Sequence, residues 1–107
     1  MTTKRQLPTH LPILGEKWPI IESRGHTKNF GVTRPAEREV VIHLDAHDKF
    51  PRNGVRSTLF HESMHVALEV AGLGNILDDK VEEAVVTCLE AALWPLIESG
   101  FFVGRCK

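Results

Sequence analysis

The sequence predicts an α+β fold in which a small N-terminal sheet, antiparallel or mixed, packs on two helices. Three features predict it. The hydrophobic period changes near Asn53-Gly54 from about two residues to about 3.6. Before that point the apolar residues form short runs rich in Ile, Val and Trp, broken by Gly, Pro and charged residues. After it, two long stretches carry apolar residues at helical spacing. With 107 residues the chain has enough surface to bury for one core, so a single domain, 1–107, is expected, strand-rich over 1–52 and helical over 53–107.

Strands are expected at residues 13–14, 18–22 and 39–45. The last has the clearest alternation, with Val40, Ile42 and Leu44 on one face and Val41, His43 and Asp45 on the other. Residues 23–37 contain Gly25, Gly31 and Pro35 and suit either a long hairpin connection or an irregular strand of unspecified pairing. Residues 55–71 lack Gly and Pro and suit a mostly buried helix, capped by Asn53 or Ser57 at its start and by Gly72 or Gly74 at its end. Residues 72–77 turn the chain. A second helix should start at Asp78 or Asp79, with Pro95 ending or kinking it and Gly100 as its latest stop. Residues 101–103 suit a short strand or a packed cap.

Composition narrows the function. Apolar residues make up 42% and charged residues 25%, which argues against disorder, a collagen-like repeat or a membrane span. The net charge is −1 and no segment concentrates Lys and Arg, so no nucleic-acid partner is expected. Two cysteines make no disulfide framework, and the first ten residues lack the apolar run of a signal peptide. The expected location is the cytoplasm, with free thiols and no membrane partner.

The informative stretch is His61-Glu62-Ser63-Met64-His65, an H-E-x-x-H pattern inside the first helix. A shuffled chain of this composition would contain it only about 3% of the time. Residues four apart lie on one helix face, so two imidazoles can converge on one Zn²⁺. Glu62 points roughly 100° away around the helix, off the metal but within reach of water bound to it. Two histidines on an otherwise apolar stripe need polar partners, and a cation serves both.

A hydrolytic zinc site takes a third protein ligand and leaves one position open. The second helix offers Glu82, Glu83 and Glu90. Seventeen residues lie between His65 and Glu83, enough to finish one helix, turn, and return antiparallel. Glu82, three residues after Asp79, has a competing role in a capping box, so Glu83 is favoured with Glu82 in reserve.

His61-Glu-Ser-Met-His65 followed by Val81-Glu-Glu-Ala-Val-Val-Thr-Cys-Leu-Glu90 resembles the glutamate zincins. The order of strand, active-site helix, turn and glutamate helix is similar to the compact ImmA/IrrE-type metallopeptidases, many of them phage-encoded, and to the minimal gluzincins. The likeness reaches upstream to residues 14–18 and 38–45, although only H-E-x-x-H is specific. It implies a zinc metallopeptidase with a zincin-like core, acting in the host cytoplasm if phage-encoded. His61, His65 and Glu83 would bind the metal, Glu62 would be the catalytic base and a polypeptide the substrate. The pair Glu83-Ala84 is similar to the dipeptide that often carries the ligand in that group.

The mechanism then expected is attack by a water of pKa lowered to about 7, with Glu62 shuttling the proton. The strand at 39–45 is the expected edge for an extended substrate. The chain has no Tyr, so oxyanion stabilisation falls to other candidates: His26, His43, His47 and Arg105. Arg34, Arg38, Arg52 and Arg56 are candidates for a basic rim. Cys106 is a candidate internal ligand for the open metal position, while Cys88, Trp18 and Trp94 read as packing residues. The alternative function is a catalytically silent, zinc-stabilised binding or regulatory module of phage type.

Overall fold

Four strands, three helices and a 3₁₀ turn make up the computed structural model, which describes residues 7–25, 29–49 and 54–103. The α+β expectation holds, with a mixed rather than purely antiparallel sheet. The chain begins with a hairpin of β1 (His10–Ile13) and β2 (Glu16–Ser23), paired antiparallel from His10 opposite Pro19 to Ile13 opposite Glu16. Its two-residue loop places Leu14 at φ 49° and Gly15 at φ 84°, the double left-handed turn that matches the twist of paired strands. Leu14 therefore belongs to the turn and not to the expected strand at 13–14.

The segment left open at 23–37 contains β3 (Gly31–Arg34), which turns through residues 35–38 into β4 (Glu39–His43). Arg38 closes that turn at φ 54°, its N–H donating to the Pro35 carbonyl at 3.2 Å. β4 runs parallel to β2 and antiparallel to β3, so the sheet order is β1-β2-β4-β3. Two expectations for 39–45 are corrected here. The strand stops at His43 because Leu44 and Asp45 open α1 (Leu44–Lys49), an unexpected helix. Arg24 at the end of β2 binds Asp45 and Asp48 at 2.7 Å each, and the Gly25 N–H donates to Asp45 at 2.9 Å, tying α1 to the sheet. The strand is also no edge: both its sides are paired, and the edges of the sheet are β1 and β3.

α2 (Val55–Val70) crosses the sheet. Trp18 and Ile20 of β2 and Val40 and Ile42 of β4 form the core with Leu7 and Val66 of α2, flanked by Leu59 and Val70. Side chains two apart on each strand share this face, as the period of two requires. The α2 residues turned into the fold are Thr58, Glu62 and Val66, spaced four apart. Gly54 precedes the helix with no side-chain cap, and Ser57 donates to the Gly54 carbonyl at 2.9 Å instead of capping. Asn53 lies outside the described residues. Gly72, at φ 84°, ends the helix as expected, donating to the Glu69 carbonyl.

A 3₁₀ turn (Leu73–Asn75) leads into α3 (Asp79–Glu98), capped by Asp78, whose carboxylate accepts from the Lys80 N–H at 2.8 Å. With Asp78 as the cap, Glu82 is not at the position a capping box requires. Pro95 does not end the helix: it lies inside the last turn, and Gly100 at φ 78° closes a Schellman motif, Phe101 N–H to Leu96 and Gly100 N–H to Ile97. Residues 101–103 form an exposed turn, neither strand nor packed cap. α3 packs on α2 through Val86, which is fully buried, and through Trp94, whose ring meets Phe60 at 5.6 Å. Its far face leaves Val81, Val85, Cys88 and Leu89 exposed, correcting the expected core position of Cys88. No helix among the described residues is long and apolar enough to cross a membrane.

Gly31 allows β3 to lie close to α2. A Cβ there would stand 2.9 Å from Thr58 Cγ2 and 3.1 Å from the Val41 carbonyl oxygen. Gly31→Ala should cost about 1–3 kcal/mol of stability in denaturant unfolding, the usual penalty for overpacking. Gly25→Ala, where a Cβ meets nothing within 4 Å, should stay within about 0.5 kcal/mol.

Candidate metal centre

The antiparallel packing of α2 and α3 brings five ionisable side chains together. On α2, His61 and His65 stand one turn apart and each lies one position before a sheet-facing residue, Glu62 or Val66, so both rings turn toward α3. On α3, Glu82, Val86 and Glu90 share the facing stripe, again four apart. Because the helices run in opposite directions, the earlier histidine meets the later glutamate. His61 Nδ1 lies 2.7 Å from Glu90 Oε1, and His65 Nδ1 lies 2.6 Å from Glu82 Oε2.

The remaining ring nitrogens converge on one carboxylate. His65 Nε2 is 2.9 Å from Glu83 Oε1 and His61 Nε2 is 3.2 Å from Glu83 Oε2. One ligand atom from each of His61, His65 and Glu83 lies within 4.8 Å of the others, so this group could hold a metal ion. Donors on a tetrahedral ion with bonds near 2.1 Å are about 3.4 Å apart; the two nitrogen–oxygen separations here are 2.9 and 3.2 Å, to different oxygens of Glu83. The two rings are 82% and 84% covered, whereas Glu83 is 56% exposed, which leaves one side of the group facing solvent.

Glu62 is 7% exposed, buried where α2 meets β3. Thr33 of β3 donates its hydroxyl to Glu62 Oε1 at 2.7 Å, and that hydroxyl also stands 3.2 Å from the Glu62 backbone carbonyl oxygen. A buried carboxylate needs such a partner. Two clefts of about 350 and 380 Å³ flank the group and share Asn29, Gly31, His61 and Glu62 in their walls.

The other sequence candidates fall away from this cluster. His43 ends β4 and His47 packs its ring on Phe30 at 4.9 Å; neither lines the clefts. Arg34 and Arg38 pair with Glu39 and Glu16 on the sheet, at 3.5 and 2.8 Å, and among the described residues no arginine lines the clefts. His26, Arg52, Arg105 and Cys106 lie outside the described residues. Trp18 is a core residue, its Nε1 donating to Glu16 at 2.9 Å, and Trp94 packs as expected. Sequence reasoning missed Thr33, for which a strand of unspecified pairing held no signal. Glu82 and Glu90, offered by the second helix together with Glu83 as possible ligands, each meet the Nδ1 of one histidine, eight residues apart on one helix face.

Comparison with known proteins found no matching family model, no matching curated protein and no matching solved structure.

In the metal-free protein the His65 pKa is raised above 6.5. Burial pushes it down, but the Glu82 hydrogen bond, the Glu62 charge and the contact with Glu83 together outweigh that. A raised imidazole pKa stabilises the fold fully below the unfolded value of 6.5 and loses that contribution as pH rises through the folded value. With chelator present, an NMR titration of Glu82→Gln should therefore show His65 titrating at lower pH than in the wild type.

Proposed function

We propose that the protein is a zinc-dependent peptidase in which His61, His65 and Glu83 hold the metal and Glu62 is the general base. The observation that carries this reading is the carboxylate of Glu62: next to the two histidines, buried against β3, and held by Thr33. A helix that needed only to pack would place an apolar residue between Thr58 and Val66. Two imidazoles with a carboxylate make zinc the best-matched divalent ion.

Zinc, when bound, supplies Lewis acidity for a peptide carbonyl and for water. Glu62 accepts the proton of the attacking water as the C–O bond forms, and returns it to the nitrogen as the C–N bond breaks. Thr33 occupies Oε1 and leaves Oε2 to carry that proton. An extended peptide fits beside β3, whose outer edge runs along the cleft at Val32 and Thr33, and not beside the interior strand β4.

Glu62→Gln should keep the zinc content of the wild type while hydrolysis of a fluorogenic peptide library falls at least about 10²-fold. A wild-type protein that binds zinc but hydrolyses nothing would favour the silent binding module. Glu83→Ala should lower zinc content sharply; unchanged content would move the third ligand elsewhere.

A further inference from the structure

The α2–α3 interface contains more carboxylates than a three-ligand site uses. Glu82 and Glu90 each touch one histidine, on the nitrogen turned away from Glu83. An imidazole ring rotates about its χ2 bond, so unless one nitrogen is held the other has no fixed direction. Here the holding is one to one. Glu90 reaches His61 from two turns beyond Glu83, and Glu82 reaches His65 from the adjoining position, with buried Val86 setting the distance between the helices. Both carboxylates are mostly covered, 17% and 30% exposed, and the contacts are as short as charge-assisted hydrogen bonds.

We infer that Glu82 and Glu90 are positioning residues for the metal centre: each accepts the Nδ1–H of its own histidine and thereby directs Nε2 of that ring at Glu83. This rests on the metal-site reading above and assigns the two acids a role apart from ligation. Hydrogen bonding and charge are separable by substitution. Gln keeps the side-chain length and an accepting oxygen but loses the charge, whereas Asp keeps the charge but withdraws the oxygen by one methylene, out of reach of the ring.

The test measures zinc affinity of the full chain by chelator competition, together with long-range ¹H–¹⁵N spectra of the histidine rings. Glu82→Ala, Glu82→Asp, Glu90→Ala and Glu90→Asp should each weaken zinc binding by about 10–100-fold, the usual loss for such partners. The Gln variants should retain most of the affinity. In the zinc-loaded spectra only His61 should lose its held Nδ1–H in Glu90→Asp, and only His65 in Glu82→Asp. If an Ala variant fails to fold, the Asp and Gln pair still decides. Tight wild-type binding that the Asp variants leave unchanged overturns the inference but not the metal site, as does binding lost in Gln and kept in Asp. Loss of zinc in Glu82→Gln with retention in Glu83→Ala makes Glu82 the ligand and also overturns it. A wild-type chain that binds no zinc overturns the site itself, and the inference with it.

Discussion

Two imidazoles and three carboxylates meet between α2 and α3, and the way their charges are reconciled governs that half of the molecule. The interface has little else to hold it: Val86 is fully buried and Phe60 meets Trp94, but the outer face of α3 is bare. With neutral histidines, three carboxylates face ring nitrogens that carry no charge. A proton on His65 relieves this in part, as its raised pKa indicates. A divalent cation held by His61, His65 and Glu83 would relieve it further and would tie both helices together through one point. Binding of that kind adds directly to folding stability, because the unfolded chain does not hold the ligands together.

The sheet supplies the other half of the arrangement. Its core residues orient α2 so that the Thr58, Glu62 and Val66 stripe faces inward, and the histidines then face α3 as a consequence of helix geometry. Gly31 lets the edge strand approach until Thr33 reaches Glu62. One acid is thus held from the sheet and the others from the second helix, on opposite sides of the same pair of rings. Two layers that meet at a single helix can place the buried acid and the histidine–carboxylate group independently, as the proposed general base and metal ligands require.

Much of this was legible in the residues because helix periodicity is local. The spacing of His61, Glu62 and His65 specifies which share a face, and the length of chain from His65 to Glu83 allows just enough turn for an antiparallel return. The change of hydrophobic period at Asn53-Gly54 separated sheet from helices. What was not legible depended on long-range partners. β3 carries Gly31-Val-Thr-Arg34, too short and mixed to declare an orientation, and it becomes a strand by pairing with β4. Its insertion made β4 an interior strand and moved the candidate substrate edge. Cys88 and its neighbours look like core residues because their apolar spacing is helical, yet periodicity does not say how many faces of a helix find a partner. Leu44 and Asp45 continue the strand alternation, but Arg24 and the Gly25 N–H draw Asp45 into the first turn of α1.

A metal site is defined by its ligand atoms, so the most direct measurement locates the ion. Crystals of the zinc-loaded protein, recorded on either side of the zinc absorption edge, should show one anomalous peak about 2.0–2.1 Å from Nε2 of both His61 and His65, with a Glu83 oxygen completing the protein ligands. A peak bound through Nδ1, one coordinated by Glu82 or Glu90 in place of Glu83, or no peak between the two helices would contradict it.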